Sequence, residues 1–413
     1  MSTATPPQTD PVEVDSDEVA LAQPQTVREA WQAYLLRLRG GEFGSLPIVV
    51  GLLLLTVIFA VLNPVFLSPR NFVNLIVQMS PLALIAIGIV FVLLIAEVDL
   101  SVGYLSGVGS VLLARMLTEN GFHWVPAVSI VLLVGLTVGC LQGTLVAKLG
   151  LPSLIVTLAG LVGWNGVVLI LIGGRGTVTI SDDAIVGIAS TFLSAPTAYA
   201  IMAVFVAGYA AVQNRRRVAR AASNLPLEPV VVTVLRILGV AALTFGAVFY
   251  ASKGRGFPLV GVILLIAVAI FTILLQRTTF GRHVMAVGGN PEAARRAGIN
   301  VDRIRIACFM ISAGMASVGG IVLASRLRSV DTNAGGGQIE LNAIAAAVIG
   351  GTSLFGGRGT VAAALFGALV IQGVDNGMGL LGLSSGVKFT VTAAVLLVAV
   401  LVDSLARRGR QAR

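Results

Sequence analysis

Charge is what this 413-residue chain has least of: 11% of its residues are Asp, Glu, Lys or Arg, against roughly 25% in soluble domains. A soluble fold with that composition cannot keep enough polar surface in water. Lysine occurs only at Lys148, Lys253 and Lys388, and none sits in a G-x-x-x-x-G-K-[ST] phosphate loop, so the chain carries no nucleotide site of that kind. The two histidines, His123 and His283, lie in loops, which leaves no Ser-His-Asp arrangement and no Cys/His set with metal spacing. The two cysteines, Cys140 and Cys308, fall inside apolar runs and read as buried small hydrophobes, without a disulfide or zinc signal.

Apolar residues make up 56% of the chain, and the mean hydropathy is +0.94. They gather in twelve segments: 46–62, 72–96, 100–117, 125–147, 153–172, 197–212, 230–250, 258–276, 305–325, 340–355, 360–377 and 388–404. About 20 apolar residues take a helix across a bilayer. The predicted fold class is therefore all-α, a polytopic membrane helix bundle of about 12 apolar segments and 10–12 true spans. The segment 340–355 is short and Gly-rich, and a re-entrant course is the alternative to a full span there. Residues 1–27 are polar and acidic with four prolines, carry no signal-peptide pattern, and read as a disordered tail. Residues 28–39, "REAWQAYLLRLR", fit an interfacial helix or an ordinary juxtamembrane linker equally well.

The net charge of +9 would point to nucleic acid in a soluble protein. Here the basic residues cluster beside spans, so membrane topology accounts for them and no nucleic-acid partner is expected. With alternating spans and a cytoplasmic N-terminus, the inside segments hold nineteen Lys and Arg, counting Arg305 at the membrane edge, and the outside segments seven. Both termini are therefore expected in the cytoplasm, along with 277–304.

That loop contains "GGNPEAARRAGINV" (288–301). Asn290 is a good N-cap and Pro291 suits the first helical position. Glu292 lies at the positive end of the helix dipole, and Arg295 and Arg296 at the negative end. Gly298 fits the left-handed position that stops a helix. The expected helix has about seven residues, too short to stand alone, and needs a surface to pack on.

Within the spans, Gly135, Gly139 and Gly143 recur every four residues, and Ala313, Ala316, Ser317 and Gly320 make a similar small-residue face. Such faces let helices pack closely, within the chain or between subunits. Charges are few. Glu97 and Asp99 fall at a span junction, where Asp99 is placed to cap the next helix, while Arg236, Glu340, Asp375 and Lys388 lie near span ends within reach of solvent. No proton or ion relay is visible. Uncharged amides are more plentiful: Asn74, Gln78, Gln142, Asn165, Asn342 and Gln372. They suit a translocation path for a neutral polyhydroxy solute, and equally suit hydrogen-bond glue between helices.

Four stretches carry a family resemblance: "AEVDLSVG" (96–103), "AVGGNPEAARRAGINVDRIR" (286–305), "ASRLRSVDTNAGGGQIELNAIAAAVIGGTSLFGGRGT" (324–360) and "NGMGLLGLSSGVKFTVTAAVLLVAVLVD" (376–403). The sequence resembles the permease subunits of bacterial ATP-binding-cassette sugar importers, the ribose- and xylose-type branch. The resemblance implies a transmembrane permease domain over 46–405, between a cytoplasmic tail (1–45) and a basic tail (406–413). It implies that 277–304 is the loop coupled to an ATPase, with Asn290 to Gly298 at the contact. There Glu292, Arg295 and Arg296 supply polar contacts, and Ala293, Ala294 and Ala297 a close-packing face.

It also implies a homodimeric pore, a cytoplasmic ATPase subunit that binds the ATP, and an extracytoplasmic sugar-binding protein. The chain itself would be no enzyme and would carry no cofactor. Two departures stand out. Ala96 and Glu97 replace two glycines common in the family. The middle is enlarged by the hairpin 230–276, which with "KGRGFP" (253–258) is similar to xylose-type permeases, so a pentose is expected, xylose first. The alternatives are a permease for another sugar or a branched-chain amino acid, an ion-coupled secondary sugar transporter, and a membrane-embedded enzyme, for which no catalytic set is visible.

Overall fold

The computed structural model describes residues 46–225 and 227–394, together with Glu29, Gln32 and Leu397. The expected tail features within 1–45 and 406–413, and most of the segment 388–404, lie outside the described residues. The helices are α1 (Leu46–Leu62), α2 (Pro69–Leu94), α3 (Val102–Thr118), α4 (Trp124–Lys148), α5 (Ser153–Ile172), α6 (Asp183–Ser190), α7 (Ala195–Ala222), α8 (Val230–Ser252), α9 (Leu259–Arg277), α10 (Thr279–Gly289), α11 (Pro291–Arg296), α12 (Val301–Leu327), α13 (Ile339–Ile349) and α14 (Val361–Leu380). The extended pieces are β1 (Thr177–Thr179), β2 (Phe192–Leu193), β3 (Phe257–Pro258) and β4 (Ser329–Asp331). β1 pairs antiparallel with β4, and β2 with β3, as short clasps between loops. The fold is all-α.

Ten of the eleven apolar segments that the structure describes in full coincide with helices, and 388–394, the described start of the twelfth, is helical too. Among the described residues, eight helices are long and apolar enough to cross a membrane, and α1, α3 and α13 are shorter. The departure lies at 340–355. α13 stops at Ile349, so its 11 residues reach only about 16 Å, half of the ~30 Å hydrocarbon core. Left-handed backbone at Gly335, Gly337 and Gln338 keeps the residues before it out of the helix. A discontinuous span results.

The chain divides into two compact units. In the smaller, Tyr199–Gly246, the ends of α7 and α8 are tied by Arg236–Glu228 (2.8 Å), by Arg217 donating to the Glu228 carbonyl (3.0 Å), and by stacking of Tyr199 on Phe245. α8 presents Val231, Val234, Leu235, Leu238 and Leu243 outward, as a surface that meets lipid can.

In the larger unit α2 is central: every residue from Met79 to Leu94 is buried. α12 packs against α2, α3 and α4. The small-residue stripe explains how. A Cβ at Gly139 would stand 2.5 Å from the Phe309 carbonyl oxygen and 2.6 Å from Met310 Cα, and one at Gly143 would stand 2.8 Å from Ile306 Cα. Gly135 faces Ser317. The stripe thus serves a contact inside the chain, between α4 and α12. Cys308 is buried as expected, whereas Cys140 lies on the exposed face of α4, away from that contact.

Gly139→Val must push two backbones apart, and overpacking of this kind costs about 3 kcal/mol. The variant should lose its monodisperse elution or melt well below the parent. Gly163→Ala, with nothing within 4 Å of its added carbon, should match the parent. Equal melting of both variants would refute the α4–α12 contact.

Candidate translocation path and coupling loop

The loop 277–304 folds as two short helices and the start of a long one, each opened by a side-chain cap. Thr278 Oγ1 accepts from the Gly281 N–H (3.2 Å), Asn290 Oδ1 from the Ala293 N–H (2.9 Å), and Asn300 Oδ1 from the Arg303 N–H (3.0 Å). α11 has six residues rather than about seven. It ends at Gly298, whose φ is +81°, with the Ile299 N–H bonded to the Ala294 carbonyl and the Gly298 N–H to the Arg295 carbonyl (3.0 Å each). This pair of bonds is the glycine-stopped C-terminus that the sequence predicts.

Asn290, Pro291, Glu292, Ala293, Arg295, Arg296, Ala297 and Gly298 are all exposed, and Ala294 is buried in the chain's own core. The expected alanine face is thereby corrected: Ala294 is turned inward and unavailable to a partner, because α11 needs one anchor on its own fold. Arg295 is likewise engaged, with Glu292 at 3.5 Å and Asp302 at 3.8 Å, while Arg296 makes no ion pair among the described residues.

This loop touches the end of α2, where the segment 95–101 that links α2 to α3 begins. A Cβ on Gly288 would collide with the Leu94 carbonyl oxygen, and the Gly357 N–H donates to that same oxygen (2.9 Å). Ala96 is held left-handed at φ +60° against Gly356. Glu97 pairs with Arg305, one turn into α12, at 3.4 Å. The extra charge of "AEVDLSVG" therefore ties the link to the base of α12.

Two residues further on, Asp99 is completely buried. Its Oδ1 accepts from the Ser101 N–H (3.0 Å) and Ser101 Oγ (2.7 Å), and its Oδ2 accepts from Ser312 Oγ (2.8 Å). Asp99 was expected to cap α3, but it bonds the N–H of the residue before the helix and spends its other oxygen on α12. Gln142 of α4 joins through Ser101 (3.1–3.2 Å), while Ser153 and Thr157 of α5 hold the backbone of Val98. A buried carboxylate is tolerated where such donors replace water.

Of the six amides expected along a path, Gln142 belongs to this cluster. Gln78 belongs to another, where Asn376 Nδ2 donates to Gln78 (3.1 Å) and to Asn71 (3.1 Å), and Asn71 donates back to Asn376 (2.9 Å). Gln372 bonds Asp375 at 3.0 Å. Asn74, Asn165 and Asn342 are half-buried, on three different helices. The amides do not line one continuous file. Residues that sequence reasoning left out complete both clusters: Ser101 and Ser312 in one, Asn71 and Asn376 in the other. Glu340, expected near solvent, is 9% exposed. Ser312 adjoins the small-residue stripe of α12, which was the available signal.

The family described as "Branched-chain amino acid transport system / permease component" matches residues 71–402. The xylose transport system permease protein XylH of Escherichia coli K12 is 37% identical over 83% of this chain and 87% of its own length. XylH of Haemophilus influenzae is 34% identical over 82% and 90%. The ribose import permease protein RbsC of Bacillus subtilis is 32% identical over 86% and 91%. No solved structure matches the chain. Eight membrane-length helices and permease relatives make this a multi-pass protein of the bacterial inner membrane. The chain belongs to the branched-chain amino acid transport system permease family, as the membrane-spanning component of a transport system.

Proposed function

We propose that this chain is the permease subunit of an ATP-driven importer for a pentose, xylose first, and that two copies form the pore. The observation that carries the reading is the 37% identity to a xylose permease along 83% of the chain, against 32% to the ribose import permease of Bacillus subtilis. Both termini and the loop 277–304 face the cytoplasm, a reading supported by the excess of Lys and Arg on that side. There the exposed residues of α11 meet a separate ATPase, which binds and hydrolyses the ATP. An extracytoplasmic sugar-binding protein delivers the solute. The switch between outward- and inward-facing states starts at α11 and passes to the end of α2 and the link 95–101, a route favoured by the contacts of Gly288 with Leu94 and of Arg305 with Glu97.

Proteoliposomes holding the chain with its ATPase and binding protein should accumulate xylose only when ATP is supplied. The chain alone should accumulate none under a proton or sodium gradient. Gradient-driven uptake by the chain alone would instead establish a secondary transporter.

A further inference from the structure

Among the described residues, four buried side-chain polar atoms have no partner: Trp164 Nε1, Arg305 Nε, Glu340 Oε2 and Thr352 Oγ1. Arg305 is committed through Nη2 to Glu97, and Thr352 lies in the loop beside Gly359. The remaining two both lie by the start of α3, Glu340 against Gly103 and Trp164 near Ser101. Glu340 Oε2 is the nearest atom to the position of a Cβ on Gly103, in the first turn of α3, with the Gly335 carbonyl 3.1 Å from that point. Trp164 Nε1 shares the space over Gly160 with Gln142 Nε2 and with Ser101 Cβ, at the residue that opens α3.

This is also where two stretches of irregular backbone converge: 95–101 before α3 and 332–338 before α13. The level is deep. Ser312, bonded to Asp99, lies eleven residues into the 27 of α12, about 16 Å from the start of a helix long enough to cross a ~30 Å hydrocarbon core. Non-helical backbone at that depth belongs where it lines a path or is buried in protein.

A buried acceptor and a buried donor left unmatched each cost stability. A hydroxyl matches both kinds, since it donates once and accepts twice. We infer that the first turn of α3 is the solute-binding point of the path. The Glu340 carboxylate accepts a hydroxyl of a neutral polyhydroxylated solute, and the Trp164 indole N–H donates to another. The small residues Gly103, Gly107 and Gly335 close this point when empty, and it opens when 332–338 withdraws from α3. The inference rests on the sugar-importer reading and adds to it the residues that hold the solute.

The test uses the complete transporter in proteoliposomes, with xylose and ribose as probes, and the variants Glu340→Leu and Trp164→Phe. Glu340→Leu removes an unpaired buried carboxylate and should raise the melting temperature. Trp164→Phe keeps the ring and removes only the donor. Each should assemble with the ATPase, yet lower pentose uptake per ATP hydrolysed by tenfold or more. Parental uptake in both variants would overturn the proposal. So would loss of assembly in both, which would make the pair structural. Sodium-dependent uptake abolished by Glu340→Leu would also overturn it, assigning the carboxylate to a cation. Failure of the importer reading shows separately, as an unmodified transporter with no ATP-dependent pentose uptake.

Discussion

Asp99→Ala should destabilise the purified protein by about 3 kcal/mol and abolish transport. The carboxylate receives three bonds from inside the fold, from the Ser101 N–H, Ser101 Oγ and Ser312 Oγ. Each buried group left unsatisfied costs about 1–3 kcal/mol. Not all three are stranded. Ser101 Oγ already lies 3.2 Å from Gln142 Oε1, and Ser312 can turn to the carbonyl one helical turn back. The Ser101 N–H has no such choice, and the lost side-chain volume adds a cavity. Asp99→Asn keeps the acceptor for that N–H and most of the volume, so it should cost less than half as much. Ser312→Ala, which removes one donor, should be milder still. Thermal unfolding of the three variants gives the order. Asp99→Ala melting with Asp99→Asn would show that the bonds to Ser101 and Ser312 hold nothing together.

The same residues mark where a sequence can be read and where it cannot. Helix boundaries were legible because their causes are local. Asn290, Pro291 and Gly298 each act on backbone within about one turn of their own position, and each sits in the role its chemistry assigns. Apolar runs were legible because about 20 consecutive residues decide a span. Partners distant in the chain were not. Ser312 lies 213 residues from Asp99, and Asn376 lies 305 from Asn71. Nothing in a one-dimensional pattern pairs them.

The glycine stripe of α4 showed that a close approach was needed, and only the fold shows that α12 supplies it. Glu340 misled for the same reason. At the end of an apolar run a charge reads as solvated, yet the left-handed stretch at 335–338 folds back against α3 and buries it. Ala294 looked like its alanine neighbours because periodicity over six residues cannot tell which face an anchor takes.

Gly298→Val should weaken co-purification of the ATPase by tenfold or more while leaving the permease inserted and folded. Nothing lies within 4 Å of a Cβ built at Gly298, so the penalty is purely conformational. A β-branched residue resists φ +81°, at a cost of about 1–2 kcal/mol. α11 is a single turn and a half with one buried residue, too little to absorb that cost, so its last turn unwinds. The damage should stop there, because Asn300 caps α12 independently.

Gly298→Asn separates backbone from side chain, since Asn tolerates the left-handed region and should bind the ATPase nearly as the parent does. Charge is tested best at Arg296. Reversing Arg295 would also set like charges against Glu292 and Asp302 and perturb the helix itself, whereas Arg296→Glu changes only what an approaching protein meets. If Gly298→Val and Arg296→Glu both co-purify with the ATPase and transport at the parental rate, α11 is not the coupling contact. In that case the loop 351–360, with Phe355 and Arg358 exposed and Gly357 bonded to the Leu94 carbonyl, becomes the surface to test.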